Sequence, residues 1–304
     1  MNSTPRTIAE YLKQLRVALR GADPALIQDA LYDAEEHLRS ELAENPQRSE
    51  AEMLAHVVGT YGAPEEVADI YRDQEVKIQR ALRPPPPPRH RSALGRFFGV
   101  AADSHTWGAL FYMLLVLATG IFYFTWAVTG ISLSLGLAVL IIGIPFVILF
   151  LGTVRALSLL EGRIVETMLG VRMPRRPPYP LHTGTSLGQR IGAIFTDART
   201  WTTLFYMVLL LPLGIVYFTL TVVMLCLSLG LIATPVLKVL DDIDVLIWNC
   251  GGPDWLCGGN NWWLTILACA LGIVLLFATL HLVRGLGKLH GAIAKGLLVR
   301  SVED

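Results

Sequence analysis

The sequence predicts an all-α protein: a small cytosolic four-helix module followed by a four-span α-helical membrane domain built from two tandem repeats. The first observation is composition, because 53% of the residues are hydrophobic, only 16% are charged and the mean hydropathy is positive. Soluble domains are about one quarter charged, so this apolar excess favours a membrane protein. The second observation is a long apolar stretch that occurs twice, and the third is a polar N-terminal region with amphipathic helix patterns.

The apolar stretch at residues 106–137 recurs at residues 200–231 without a gap, and more than half of the aligned positions are identical. Such self-similarity predicts an internal duplication, and each copy is long enough to cross a bilayer. After this stretch the alignment breaks, and it resumes where Gly272 matches Gly143. The predicted repeats cover about 96–172 and 190–300, and the extra residues form an insert at about 236–262.

Residues 1–83 carry four amphipathic helix patterns with their own start and stop signals. Asp23 and Pro24 predict the N-cap and first residue of the second helix, Ser49 predicts a capping box for the third, and Pro64 begins the fourth. The shared apolar side predicts a small bundle. Its expected inner residues are Ile8, Leu12, Leu15, Leu19, Leu26, Ile27, Ala30, Leu31, Ala34, Leu38, Leu42, Met53, Leu54, Val57, Val58, Val67, Ala68, Ile70 and Tyr71.

The order of these patterns resembles a known signalling module. The segments YLKQLRVAL, DPALIQDALYDAEEHL and VVGTYGAPEEVADIY are similar to the HAAS signalling domain, and the GTYGAPEEVA turn is the most specific part. In bacterial proteins this domain precedes transmembrane segments, and it is often encoded beside PadR-like transcription regulators. The resemblance covers about the first 80 residues and implies signalling through protein contact, with no enzymatic chemistry.

A run of five prolines follows the module, at residues 84–88. Polyproline II is the conformation such a run adopts, so residues 84–92 are expected to be a semi-rigid linker. A PxxP docking site is the alternative. The membrane domain is then expected to occupy residues 93–304.

Four spans place both termini on one side of the membrane. With the N-terminus inside, fourteen basic residues from Arg89 to Arg300 lie in inner segments and only Lys238 lies in an outer one, as the positive-inside rule requires. The expected location is therefore the plasma (inner) membrane, with both termini cytoplasmic. The predicted spans are 107–128, 133–151, 201–226 and 263–283, with a tight turn at 129–132 and amphipathic surface helices at 155–170 and 284–300.

Polar residues mark the start of the first span of each repeat. They are Asp103, Thr106 and Trp107 in the first repeat, and Asp197, Thr200 and Trp201 in the second. The Asp and Thr side chains are expected to cap the helix N-termini, and the tryptophans suit the headgroup region. A pair of carboxylates that binds an ion is the alternative.

The insert at 236–262 is the one large outer segment, and it is both acidic and aromatic. Outside the cytosol a disulfide can persist, so we expect one between Cys250 and Cys257, whereas Cys226 and Cys269 are expected to be buried in spans. The acidic residues are expected to be solvated, with binding of a divalent cation as the alternative. The candidate sensing residues are Asp241, Asp242, Asp244, Trp248, Asp254 and Trp255.

The chain lacks several common catalytic motifs, including a P-loop, HExxH and a CxxC pair, so no enzyme activity, cofactor or metal is expected. The stretch TWGALFYMLLVLATGIFYF, the SLGL segment and the tail LLEGRIVETMLG resemble the actinobacterial-type sensor transmembrane domain over about residues 95–300. In this family a sensor domain precedes kinase or HAAS-type modules. No kinase core follows here, so phosphorylation of a partner by this chain is not expected.

Two hypotheses of different class follow. The first is a non-enzymatic membrane sensor that couples an envelope or extracytoplasmic signal to a cytosolic partner, which the HAAS resemblance implies to be a PadR-like transcription regulator. The second is a small transporter or lipid-handling membrane protein with an accessory domain, because many transporters contain internal repeats. The expected partners are the lipid bilayer and the regulator, with no direct nucleic acid, and homo-oligomers are left open.

Overall fold

The computed structural model describes residues 5–82, 92–137, 143–176, 197–243 and 262–299. In these ranges the chain is helical and contains no strand, which confirms the predicted all-α class. A 3₁₀ turn, Gly99–Ala102, precedes the first long helix. The α-helices are α1 (Ile8–Ala18), α2 (Pro24–Glu44), α3 (Glu50–Thr60), α4 (Pro64–Leu82), α5 (Ala93–Phe98), α6 (Ser104–Leu137), α7 (Gly143–Leu169), α8 (Ala198–Asp242) and α9 (Trp262–Leu298).

Helices α1–α4 form the small N-terminal module, and their starts agree with the sequence signals. The Asp23 carboxylate accepts a hydrogen bond from the backbone N–H of Ala25, ahead of Pro24 at the first position of α2. Ser49 and Glu52 form the capping box of α3 reciprocally. These contacts satisfy backbone N–H groups that a helix leaves without an internal partner.

The core of the module consists of the inner faces of α1–α4. Tyr11 is fully buried, and its hydroxyl donates to the carbonyl of Gly62 at 2.9 Å, so a buried polar group is satisfied. The prediction of Ile70 as an inner residue is wrong, because it is 53% exposed. Glu75, four residues beyond Tyr71, continues the inner stripe of α4 instead.

Helices α6, α7, α8 and α9 are each long and apolar enough to cross a membrane, which confirms the predicted number of spans. Their lengths differ from prediction. The predicted turn at 129–132 lies inside α6, and the helix after Pro235 continues to Asp242. The predicted surface helices at 155–170 and 284–300 are not separate, because α7 and α9 continue through them.

The environment of the backbone explains why α6 continues through the predicted turn. Inside a bilayer every N–H and C=O needs an internal partner, so a Gly or Ser within an apolar helix does not produce the turn it favours in water. An amphipathic pattern at the end of a span shows which face packs on protein, and it does not require the helix to break.

The prediction that Cys226 is buried is also wrong, because this thiol is exposed on α8.

The chain divides into two compact units. The first comprises Met1–Pro84, Thr125–Val208 and His290–Asp304, so it joins the N-terminal module to parts of the long helices. The second comprises Pro85–Phe124 and Leu209–Leu289.

Within the second unit α6 and α8 touch at two glycines. A Cβ added to Gly120 would lie 2.8 Å from the carbonyl oxygen of Leu210, and one added to Gly214 would lie 2.8 Å from that of Val116. Small residues of this kind let membrane helices approach at backbone distance. Gly120 and Gly214 are equivalent positions of the predicted repeat, and so are Val116 and Leu210.

Candidate functional site

A buried arginine joins the N-terminal module to the end of α7. The Arg172 guanidinium contacts the carboxylates of Asp29 in α2 at 3.0 Å, Glu75 in α4 at 3.2 Å and Glu166 in α7 at 3.2 Å. All four side chains are buried. We call these residues the Arg172 network, and it links two helices of the module to a membrane-spanning helix within the first compact unit.

The turn that follows α7 brings Arg172 into this position. Gly170 has φ +68°, a conformation that other residues rarely adopt, and its N–H donates to the carbonyl of Glu166. This is the usual glycine end of a helix. The chain then turns back so that residues 171–176 lie against the module.

Asp29 is the central acceptor of this segment. One carboxylate oxygen accepts from the backbone N–H groups of Arg175 at 2.6 Å and Arg176 at 2.9 Å, and the other accepts from Arg172. Burial raises the pKa of the Asp29 carboxyl, against the lowering effect of these three donors. Burial alone would lower the pKa of Arg172, but the surrounding carboxylates raise it overall, so the guanidinium stays charged.

The module also contacts the ends of α8 and α9. Arg199, at the start of α8, donates to the side-chain oxygen of Gln28 at 2.9 Å and to the carbonyl of Leu298 at 2.8 Å. Lys295, near the end of α9, pairs with Asp23 at 2.5 Å. One face of α2 therefore meets the ends of three long helices through polar and oppositely charged groups.

A second buried polar group joins the same three helices. The hydroxyl of Tyr206 in α8 donates to Glu161 of α7 at 3.3 Å and lies 3.1 Å from Nε2 of His290 in α9. Which of the two atoms donates in the Tyr206–His290 contact depends on the tautomer of His290. All three side chains are at most 1% exposed. Ionisable residues in such positions of membrane helices are costly and are often functional.

Replacing Tyr206 with Phe is expected to destabilise the helix bundle. The change leaves two buried polar side chains without this hydroxyl, which costs on the order of 1–3 kcal/mol. Thermal unfolding of the full chain in detergent should show a lower midpoint. The control is Tyr217→Phe in the same helix, whose hydroxyl lies outside this group. A Tyr206→Phe midpoint equal to that of the unmodified chain would show that the Tyr206 bonds contribute nothing.

The residues predicted at the span starts are paired across the predicted repeat. Asp103 accepts from the backbone N–H of His105, and Asp197 accepts from that of Arg199, so both carboxylates cap a helix. In the second unit Asp103 pairs with Arg284 at 3.0 Å, and in the first unit Asp197 pairs with Arg155 at 3.5 Å. Thr106 and Thr200 are buried beside these caps, whereas Trp107 and Trp201 are exposed.

The structure describes only some of the other predicted site residues. Asp241 and Asp242 form the last turn of α8, with Asp241 half-buried and Asp242 exposed. Asp244, Trp248, Cys250, Asp254, Trp255 and Cys257 lie outside the described residues, as does most of the linker 84–92. Within the described ranges no three His, Cys, Asp or Glu side chains are grouped as metal ligands.

Sequence reasoning did not find the Arg172 network. Arg172 was one of many basic residues on the expected inner side, and Asp29 and Glu75 were not singled out. One signal was present: Asp29 lies between Leu26 and Ala30 on the buried face of α2, where a carboxylate needs a partner. The sequence does not show that this partner lies 143 residues further on.

The fold and the site define a multi-pass α-helical membrane protein with a helical module docked on the ends of its long helices. The family model described as Putative sensor matches residues 112–298, and the chain belongs to this family. The HAAS family model matches residues 10–69, inside the N-terminal module, so both resemblances seen in the sequence are confirmed. No match was found among curated proteins or among solved structures.

Proposed function

We propose that this protein is a non-enzymatic membrane sensor that passes an envelope or extracytoplasmic signal to a PadR-like transcription regulator in the cytosol. The observation that carries the proposal is the path from membrane to module. Helix α7 runs unbroken from Gly143 to Leu169, and its last turns contribute Glu166 to the Arg172 network. A shift or rotation of α7 therefore acts directly on α2 and α4 of the HAAS module.

In this proposal the docked module is the state that does not bind the regulator. In that state the α2 face with Asp23, Gln28 and Asp29 is covered by contacts to the long helices. A signal that favours another packing of α7 uncovers this face for the regulator. The signal shifts the equilibrium only by its difference in affinity for the two packings.

The proposed topology places both termini in the cytoplasm and the chain in the plasma membrane. Asp23 of the module contacts Lys295 near the C-terminus, which supports an even number of crossings. Among the described residues, the basic groups that meet the module are Arg172, Arg176, Arg199 and Lys295. Basic residues at such helix ends are typical of the cytoplasmic side.

The predicted duplication is also part of this proposal. Arg284 matches Arg155 in the same alignment that relates Gly272 to Gly143. Two kinds of contact support the duplication: Asp103 and Asp197 each pair with the one of these arginines that lies in the other repeat, and Gly120 and Gly214 each meet the helix of the other repeat. Two hairpins with the same orientation do not form the inverted repeats used in alternating access, which favours a sensor over a transporter.

The test is capture of a purified PadR-like regulator by three baits: residues 1–83, the full chain in detergent, and the full chain with Arg172→Met. We expect the fragment to bind the regulator and the unmodified full chain to bind less, with the variant close to the fragment. If no bait binds, the proposed partner is wrong. Flux of a solute or lipid through vesicles that contain the full chain would favour the transporter class instead.

A further inference from the structure

A cavity of about 220 Å³ opens between α6 and α7, within the first compact unit. Its walls include Leu133, Phe146, Leu149 and Phe150, and its polar side chains are those of Trp126, Thr129 and Thr153. The Trp126 indole N–H donates to the Thr153 hydroxyl at 3.0 Å, and this hydroxyl donates to the Phe150 carbonyl. These two side chains satisfy each other, so the cavity favours an apolar occupant.

The shape of the cavity depends on the absence of a side chain at Gly130. The Phe150 ring lies directly over this glycine, in space that a Cβ would occupy. The predicted second repeat has Met224 and Thr279 at these two positions, and Leu220 in place of Trp126. The second repeat thus carries a different lining, which indicates that the cavity is a feature of the first repeat and not a by-product of the fold.

The cavity opens to the apolar surface of two membrane-spanning helices. Leu149 is 67% exposed and Leu133 is 46% exposed, and side chains in these segments of a bilayer face hydrocarbon. A cavity of ~150 Å³ lined by apolar side chains can hold a benzene molecule. The space here is therefore sufficient for part of a hydrocarbon chain.

We propose that this cavity is a binding site for one acyl chain of a membrane lipid, and that the chain is the ligand to which the sensor responds. The second part rests on the function proposed above. Phe146 to Thr153 form the α7 wall of the cavity, and Glu166 lies further along the same unbroken helix. At 1.5 Å per residue, Thr153 and Glu166 are only ~20 Å apart, so an occupant that moves α7 also moves the Arg172 network.

The test is photo-crosslinking of the full chain in vesicles of phosphatidylethanolamine and phosphatidylglycerol. A trace of phosphatidylcholine carries a diazirine midway along one acyl chain. Peptides that contain residues 126–133 and 146–153 should be labelled above the exposed part of α9 around Leu267, which is 65% exposed. Thr129→Phe, which places a ring in the cavity, should lower this labelling about tenfold, the effect of losing about two methylenes of burial.

The matched control is Val128→Phe, because Val128 is an exposed neighbour on the same helix and is not part of the lining. It should leave the labelling unchanged. Leu149→Phe is a second filling variant at an exposed wall position, and it should act like Thr129→Phe. Labelling of equal intensity along the exposed faces of all four long helices would overturn the lipid site. Labelling that neither filling variant changes would also overturn it. The lipid cross-link is measured without any regulator. A failure of lipid labelling is therefore distinguishable from a failure of the full chain to capture the regulator.

Discussion

Replacing Arg172 with Met should release the N-terminal module from the long helices. The variant keeps a side chain of similar length but removes the charge that three buried carboxylates share. Breaking a buried ion pair by removing one partner costs about 3–5 kcal/mol. Hydrogen exchange should become faster in residues 170–176 and on the face of α2 around Asp29, while the core of the module stays protected.

The matched control for this change is Arg175→Met. The Arg175 side chain is 43% exposed and lies 3.9 Å from Glu166, and its backbone N–H still donates to Asp29 in the variant. An exposed pair of this kind contributes at most about 1 kcal/mol. The variant should keep the protection pattern of the unmodified chain. If Arg172→Met also keeps that pattern, the network does not hold the module in place.

Substituting Ala for Gly120 or Gly214 should destabilise the membrane domain. Each added methyl group would lie 2.8 Å from a backbone oxygen of the facing helix, so the two helices must move apart. Overpacking of this kind costs about 1–3 kcal/mol, against a gain of up to about 1 kcal/mol that Ala brings to a helix. The clash here is with backbone atoms, which cannot move aside as a flexible side chain can, so we expect the cost to be the larger effect. The midpoint of thermal unfolding in detergent should fall for both variants.

The chain supplies a matched pair of controls for these glycines. Gly136 and Gly230 lie later in the same two helices, also at equivalent positions of the predicted repeat, and a Cβ there would meet no atom within 4 Å. Gly136→Ala and Gly230→Ala should leave the midpoint unchanged or raise it. A fall as large as that of Gly120→Ala would show that helix packing at Gly120 and Gly214 is not the cause.

The N-terminal module is the part of the fold that the sequence predicts best. Its helices begin at local signals, such as the capping box at Ser49 and the proline at position 64, which act within one turn of helix. The apolar stripes also identify most of the core. Ile70 is the exception, because an apolar residue at the edge of a stripe gives no sign of which side it faces.

The number of spans was predictable, but their ends were not. The predicted turn at 129–132 relied on turn propensities measured in water, and α6 continues through it to Leu137. The amphipathic end of α7 was interpreted as a surface helix because its apolar residues form one face. The structure instead buries Glu161 and Glu166 and leaves Leu160 exposed. Glu161 has a partner in Tyr206 of α8, and Glu166 pairs with Arg172 in the segment that follows α7.

The candidate site was not predictable from sequence patterns because its parts are distant in the chain. The acidic surplus of residues 1–83, fifteen acidic against ten basic side chains, was visible, and so was the basic surplus of the remainder. Their complementarity suggests attraction between the two parts. It does not select Asp29 and Arg172, since that choice depends on how α2 lies against residues 170–176.

The most direct test of the account is a cross-link between module and C-terminal helix in native membranes. Asp23→Cys and Lys295→Cys are introduced together, with the four native cysteines replaced by serine, and a short membrane-permeant bis-maleimide is added to intact cells. The Arg172 network and the Arg199–Gln28 bond remain in this variant, and a module docked by them keeps positions 23 and 295 adjacent. Docking therefore predicts one intramolecular product. If each cysteine reacts singly with a permeant maleimide but no cross-linked product forms, the module is not docked on these helices.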